Sequence, residues 1–122
     1  MKFEREQAEG KNTFTGYGPG YVEVNRRRHN ASLVVSGERL IDHWPAATLE
    51  GLTADNLAAV LELAPEIVLL GTGAQFRFPD PALLAPLYKA GIGVEVMDTP
   101  AACRTYNILL GEGRNVVAAL VV

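Results

Sequence analysis

The chain contains few of the residues that stabilise folds through disulfides or bound metal ions. Its 122 residues include one cysteine, Cys103, and two histidines, His29 and His43. A single cysteine excludes an intrachain disulfide and is typical of a reducing compartment. The histidines lie in separate loop regions and have no cysteine or carboxylate at metal-ligand spacing. We therefore expect neither a disulfide framework nor a metal site.

Long apolar runs and an excess of basic charge are also missing. No stretch approaches the roughly 18 apolar residues of a membrane-spanning helix. The net charge of −3 and the pI near 5.3 argue against a nucleic-acid binder, although residues 26–29 form one small basic cluster. Residues 1–6 lack an apolar signal core and carry acids, which transit peptides avoid. We expect a cytoplasmic protein, or a mature form whose targeting segment is missing, with neither a membrane span nor a nucleic-acid partner.

What is present is an ordinary globular composition. Hydrophobic residues make up 48% and charged residues 20% of the chain. This length is sufficient for one hydrophobic core, and the sequence contains no internal repeat or linker. Residues 1–122 are therefore predicted to form a single domain.

The first third is predicted to be rich in β-strands. Residues 3–7 are a candidate short edge strand, and residues 12–20 are a loop or an irregular strand because glycine and proline interrupt them. Residues 21–24 and 31–36 are predicted strands, and the polar residues 25–30 between them suit a hairpin loop.

The remaining chain alternates helix and strand. Helices are predicted at residues 54–63, 81–90 and about 100–110, and strands at residues 67–70, 94–97 and 116–122. Thr53, Asp80 and Thr99 stand at the helix starts as N-caps, the last two followed by proline. Pro86 is expected to shorten or kink its helix. The element order predicts an α/β fold: a mixed central sheet with helices packed on it, plus an N-terminal β-hairpin region.

Two strand-to-helix junctions hold the polar residues of greatest interest. In open α/β folds, ligands bind beyond the carboxyl ends of the strands. We therefore predict a ligand or partner site in the crevice between residues 71–75 and residues 98–107. Its candidate residues are Gly71, Thr72, Gly73, Gln75, Asp98, Thr99, Arg104 and Asn107.

Each junction has a structural and a functional interpretation. Asp98 either has a structural role, in which it bonds the first-turn amides or pairs with Arg104, or serves as a ligand-binding carboxylate or general base. Residues 71–73 form either a tight turn or an anion cradle, but they match no nucleotide-binding fingerprint, so no cofactor is expected. Phe76 and Phe78 either wall the crevice or belong to the core.

Further residues admit two interpretations each. Cys103 falls on the helix face that should meet the sheet, so it is either a core residue or a thiolate activated by the helix N-terminus. Trp44 is either a packing anchor or an exposed partner contact. Arg104 and Ile108 should point away from the sheet.

Several segments together resemble one small protein family. They are residues 69–73, 91–99, 101–109 and 112–114, with the Ser36-Gly37 turn and the Trp44-Pro45 element. The mitochondrial member of that family is assembly factor three of NADH:ubiquinone oxidoreductase (respiratory complex I), and its bacterial and archaeal members are largely of unknown function. The resemblance implies a three-layer α/β fold with an extra β layer and no established catalytic activity. The mitochondrial relative acts by binding another assembly factor and early complex I subunits.

Two functions follow as hypotheses. The first is a non-enzymatic binding or accessory protein with a protein partner, linked by the resemblance to complex I assembly. The alternative is a small enzyme or small-anion-binding protein. In that case Asp98 would act as base or orienting group, Arg77 or Arg104 would bind the anion, and the amides of residues 71–73 would donate hydrogen bonds. No catalytic residue is assigned, and the sequence leans away from an enzyme.

Overall fold

The computed structural model describes residues 10–122, so the candidate strand at residues 3–7 lies outside the described residues. The described part contains eight strands and three helices. The strands are β1 (Phe14–Gly18), β2 (Tyr21–Val24), β3 (Arg27–His29), β4 (Leu33–Ser36), β5 (Leu40–Ile41), β6 (Ile67–Gly71), β7 (Gly93–Met97) and β8 (Val116–Leu120). The helices are α1 (Ala54–Leu61), α2 (Pro81–Lys89) and α3 (Thr99–Gly111).

A five-stranded mixed sheet forms the centre of the fold. Its order is β5-β4-β8-β6-β7, in which β8, β6 and β7 are parallel and β4 is antiparallel to both of its neighbours. All five residues of β8 are buried because this strand lies in the middle of the sheet. The strand predicted at residues 116–122 is therefore an interior strand, and it ends at Leu120, two residues earlier than predicted.

The two faces of the central sheet carry different layers. On one face, α1, α2 and residues 44–52 build a core cluster around Val68, Leu70 and Val117. On the other face, α3 and the N-terminal strands build a second cluster around Leu69 and Ala118. This is the predicted three-layer α/β arrangement, with the extra β layer beside α3.

The extra layer is an antiparallel sheet in the order β1-β2-β3. Gly20, at φ +75°, suits the second central position of a type II turn after Pro19. Asn25 and Arg26 both have positive φ, as a type I′ hairpin turn requires. A register shift between Phe14 and Gly16 makes β1 irregular, as predicted.

One prediction in this region is wrong. Residues 25–30 are not a loop joining two paired strands, because Arg27–His29 forms β3, which pairs with β2, whereas β4 belongs to the central sheet. Arg27 and Arg28 are exposed on this edge strand, so the segment carries no apolar alternation. The strand was not predicted because its residues are polar and lie on an exposed sheet edge.

The first two helices begin where the capping residues predict. Thr53 and Asn56 form a reciprocal capping box at α1, and the Asp80 side chain accepts from the Ala82 amide 3.0 Å away at α2. Pro86 lies inside α2, which nevertheless continues to Lys89. Within residues 10–122, no helix has the length and apolar character needed to cross a bilayer.

Candidate functional site

The carboxyl ends of β6 and β7 form the junction that the sequence indicated. The two strands are parallel neighbours, with Gly71 opposite Met97. The chain leaving β6 enters α2 on one face of the sheet, whereas the chain leaving β7 enters α3 on the other face. Such a divergence is the usual position of a binding crevice in an open α/β sheet.

The loop after β6 is bonded directly to the start of α3. The Thr72 amide donates to the Met97 carbonyl at 2.9 Å, and the Thr99 amide donates to the Gly73 carbonyl at 2.8 Å. The Gly73 amide in turn donates to Thr99 Oγ1 at 2.9 Å. These bonds close the bottom of the predicted crevice.

Thr99 is not the N-cap of α3, contrary to the prediction. Asp98 is the cap, and its Oδ1 accepts from the Ala101 amide at 2.8 Å. Thr99 is the first helical residue, and its buried hydroxyl donates to the Val121 carbonyl at 2.6 Å. This hydrogen bond joins α3 to the chain following β8 and fixes the helix on the sheet. The hydroxyl proton is therefore not available to a ligand.

Gly71 is required by the close approach of α3. A Cβ at this position would lie 2.7 Å from Leu120 Cδ2 and 2.8 Å from Thr99 Oγ1. Gly73 has φ +104°, a conformation that favours glycine. Both glycines therefore have a packing or backbone role at this junction.

The first turn of α3 has no amide left for an anion. The Thr99 amide bonds Gly73, Pro100 has no N–H group, and the amides of Ala101 and Ala102 bond the side chain and carbonyl of Asp98. The positive end of this helix is thus satisfied within the chain. Asp98 has the capping role that its position allowed.

The two candidate arginines lie apart and are engaged elsewhere. Arg77 Nη1 lies 2.6 Å from Glu50 Oε2 on the face that carries α1 and α2. Arg104 is exposed on α3, as predicted, and its Nη1 donates to Tyr17 Oη at 2.7 Å. The Gln75 side chain is exposed, and the backbone carbonyl of Gln75 accepts from the Thr72 hydroxyl at 2.7 Å.

Asn107 links α3 to β1. Its Nδ2 donates to the Phe14 carbonyl at 2.7 Å, and its Oδ1 accepts from the Phe14 amide at 2.9 Å. The side-chain amide therefore acts as the missing strand neighbour of Phe14. Asn107 faces the N-terminal sheet and does not face the loop after β6.

Cys103 lies in the core, the first of its two interpretations. It is 1% exposed, and burial raises the pKa of its thiol to about 12. A neutral thiol is a poor nucleophile, so the position does not favour a reactive thiolate. Trp44 is likewise buried, and its indole N–H donates to the Asn56 carbonyl at 3.0 Å.

Sequence reasoning missed a cleft beside this junction. The tip of the β1–β2 hairpin faces the loop after β6, the start of α3 and the chain following β8, and encloses about 380 Å³. We call this the hairpin cleft. Its lining consists of Tyr17, Gly18, Pro19, Gly20, Tyr21, Gly73, Ala74, Thr99, Pro100, Val121 and Val122. The available signal is the alternation of glycine and tyrosine in residues 16–21, a pattern that by itself predicts only irregular structure.

An exposed aromatic pair lies in the same loop as Gly73 and Ala74. Phe76 is 48% exposed and Phe78 is 84% exposed, and their rings meet edge to face with centroids 4.7 Å apart. These values exclude the core interpretation of both residues. Ile108 is 62% exposed on α3, as the helical wheel predicted.

The two histidines flank one carboxylate. His29 Nδ1 lies 3.5 Å from Asp42 Oδ1, and His43 Nε2 lies 3.9 Å from Asp42 Oδ2. The first contact joins the N-terminal sheet to the end of β5. Across residues 10–122, no group of three histidine, cysteine or acidic side chains has the geometry to hold a metal ion.

A family profile, several curated proteins and several solved structures each match most of this chain. The profile described as "Protein of unknown function (DUF498/DUF598)" matches residues 14–121. The "13 kDa major membrane protein" of Francisella tularensis is 28% identical over 99% of both chains. Human NADH dehydrogenase (ubiquinone) 1 alpha subcomplex assembly factor 3 is 36% identical over 75% of this chain and 53% of its own length. A crystal structure from Bordetella parapertussis shares 45% identity, with a TM-score of 0.85, over 90% of this chain and 94% of that chain.

Proposed function

Because the chain belongs to the family described as DUF498/DUF598, whose relatives include assembly factor 3 proteins, we propose that it is a non-enzymatic accessory protein that binds another protein. The names of the human and bovine relatives refer to NADH dehydrogenase. The partner we propose is accordingly a subunit or assembly protein of a respiratory NADH dehydrogenase. We further propose that the protein acts in the cytoplasm as a single domain.

The observation that carries this proposal is the exposed Phe76–Phe78 pair. Aromatic residues are enriched at the centres of protein interfaces, where each brings a large apolar area. Burying one phenylalanine side chain contributes about 1.5–3 kcal/mol. Binding of a partner that covers both rings would be stabilised by this burial, at the edge of the sheet where β6 and β7 end.

The polar side chains that the sequence predicted for the crevice support binding over catalysis. Asp98 caps α3, the Thr99 hydroxyl holds the chain following β8, and Asn107 completes the edge of β1. A general base or anion site needs groups that are free to meet a substrate. These three side chains are instead occupied by bonds within the fold.

Affinity capture from cells that naturally produce the protein tests the proposal. The informative variant is the double substitution Phe76→Ser with Phe78→Ser. Tyr88→Ser is the matched control, because Tyr88 is 57% exposed in the last turn of α2, close to the start of β7 and thus at the opposite edge of the sheet. We expect wild type and control to recover the same proteins, and the double variant to lose them by more than tenfold. Equal recovery by all three would remove this surface from consideration.

A further inference from the structure

We propose that the hairpin cleft is an anchor pocket for one large, uncharged apolar side chain of the same partner that covers Phe76 and Phe78. This inference rests on the proposed function, because it assumes a protein partner and adds the chemistry of the residue that docks. It assigns a second, recessed contact to the carboxyl edge of the central sheet, beside the projecting aromatic pair.

The cleft is a recess between the N-terminal sheet and the first turn of α3. One wall is the tip of the β1–β2 hairpin, where Tyr17 lies on the same sheet face as the buried Val22 opposite it. Across the recess, Pro100, Ala74 and Val121 contribute apolar surface. Its volume of about 380 Å³ lies near the lower end of the roughly 300–1,000 Å³ found for ligand sites, which suits a single large side chain.

The polar groups at the floor of the cleft have their hydrogen-bond partners within the fold. The Thr99 hydroxyl donates to the Val121 carbonyl and accepts from the Gly73 amide, and the Gly73 carbonyl accepts from the Thr99 amide. The Val121 amide donates to the Gly71 carbonyl, and Pro100 has no N–H group. A polar occupant would give up its hydrogen bonds to water without replacement at this floor, whereas an apolar side chain gives up none.

None of the side chains that line the cleft is acidic or basic. Arg104 is exposed on α3 and donates to Tyr17 Oη. Arg28 lies on the opposite face of the N-terminal sheet from Tyr17, where Glu23 is its cross-strand neighbour. The lining therefore favours an uncharged occupant, and we expect its binding to be insensitive to salt.

The cleft adjoins the aromatic pair closely enough for one partner to cover both. Ala74 lines the cleft and lies two residues before Phe76, so their Cα atoms are no more than about 7 Å apart. With about 250 Å² for a whole phenylalanine, the exposed 48% of Phe76 and 84% of Phe78 amount to roughly 330 Å². Each partner of a stable interface buries roughly 800 Å². A stable complex therefore needs further surface around the pair, and the cleft supplies adjoining apolar surface.

The recess is formed before any partner binds. A Cβ on Gly18 would collide with the Tyr21 ring, so that ring packs directly on the hairpin turn. The Tyr17 phenol is bonded to Arg104, and the Thr99 hydroxyl fixes the floor. Binding to a preformed recess costs little conformational entropy, and apolar anchors seated in such recesses supply much of the affinity of an interface.

Amide chemical shifts of the isotope-labelled protein provide the first test. The probe is N-acetyl-leucine methylamide, and the control is N-acetyl-glutamine methylamide, which has a similar size but a polar side chain. We expect saturable shifts confined to the amides around the cleft, among them Tyr17, Gly20 and Ala74, with the leucine probe only. Raising the salt concentration should leave the affinity for the leucine probe unchanged, because no charged side chain lines the cleft.

Two substitutions at Tyr17 test whether its ring forms a wall of the pocket. Tyr17→Phe keeps the ring and removes only the phenol bond to Arg104, so the affinity for the leucine probe and the capture of the partner should stay within about twofold. Tyr17→Ser removes the ring and should weaken both about fivefold or more. Tyr17 is exposed, so both variants should fold, which the amide spectrum far from the hairpin verifies. Equal results for the two variants would overturn the inference.

Other outcomes also reject the anchor pocket. Equal binding of the glutamine probe, no shifts with the leucine probe, or loss of the leucine shifts in the Phe76→Ser with Phe78→Ser protein would each contradict it. Binding of phosphatidylcholine vesicles at the cleft without binding of the leucine probe would assign the recess to a lipid. A natural partner that depends on Phe76 and Phe78 but tolerates Tyr17→Ser would overturn this inference alone and leave the proposed function intact.

Discussion

At the scale of single residues, Thr99 connects three parts of the molecule. Its buried hydroxyl donates to Val121 and accepts from Gly73, so it joins the chain after β8, the loop after β6 and α3. Thr99→Val keeps the side-chain shape but leaves both backbone groups without their partner. We expect the free energy of unfolding, measured in urea, to fall by about 1–3 kcal/mol.

The control for this prediction is Thr105→Val on the same helix. Thr105 is half-buried, and its side chain makes no hydrogen bond among residues 10–122. Its replacement should change the free energy of unfolding by no more than about 0.5 kcal/mol. A loss as large as that of Thr99→Val would mean that helix propensity, and not the buried hydrogen bonds, governs the effect.

Cys103 predicts how stability responds to alkaline pH. Burial raises the pKa of this thiol from 9.0 to about 12, so the folded state keeps its proton over a range where the unfolded chain releases it. The stabilising contribution is therefore complete below about pH 9 and is lost as the pH rises towards 12. We expect the free energy of unfolding to fall by up to about 1.4 kcal/mol per pH unit in this range.

Cys103→Ala separates the thiol from the other buried acid. Burial also raises the pKa of Tyr106, whose ordinary value is 10.0, so its effect begins about one pH unit higher. In the alanine variant the decline between about pH 9 and 10 should largely disappear, as followed by urea unfolding at each pH. An identical decline in both proteins would contradict the buried, neutral thiol.

At the scale of elements, Asn107 attaches β1 to α3. Both hydrogen-bonding groups of Phe14 are satisfied by its side-chain amide, and the Phe14 ring packs edge-on against Tyr106 at 5.1 Å. Asn107→Ala should accelerate hydrogen exchange of the Phe14 amide, because the acceptor is lost. Asn107→Asp keeps an acceptor and should preserve that protection; equally fast exchange in both variants would contradict the contact.

Elements with strong local signals could be predicted from the sequence. The starts of α1 and α2 have the capping residues Thr53 and Asp80, and β6 and β8 are continuous apolar runs. The strand β3 could not, because its arginines lie on an exposed edge and its turn is specified by the backbone angles of Asn25 and Arg26. The alternation of apolar residues in a sequence reflects burial of one face of a strand. An exposed strand has no such alternation and is therefore hard to predict.

The site was predictable only in part, for a related reason. Residues 71–73 and Asp98 could be placed at one edge because the carboxyl ends of adjacent parallel strands coincide. Tyr17 and Tyr21 could not, since they reach that edge only when Phe14, Val22 and Val24 pack into the α3 cluster. The bond between Asn107 and Phe14 spans 93 residues, a separation at which local pattern carries no information.

At the scale of the whole molecule, the carboxyl edge of the central sheet concentrates the surfaces available to a partner. The exposed Phe76–Phe78 pair and the hairpin cleft lie on the same loop, which contributes Gly73 and Ala74 to the cleft. The polar groups beneath are occupied by the fold. A rigid layered scaffold that presents exposed apolar surface at one edge is what a binding accessory protein requires.

Site-specific photo-crosslinking tests this central claim most directly. We would place benzoylphenylalanine at position 78 and, in a separate protein, at position 88, and irradiate living cells that naturally produce the protein. The account predicts a discrete protein adduct from position 78 that is absent from position 88. The same adducts from both positions, or none from either, would contradict a partner docked at the carboxyl edge.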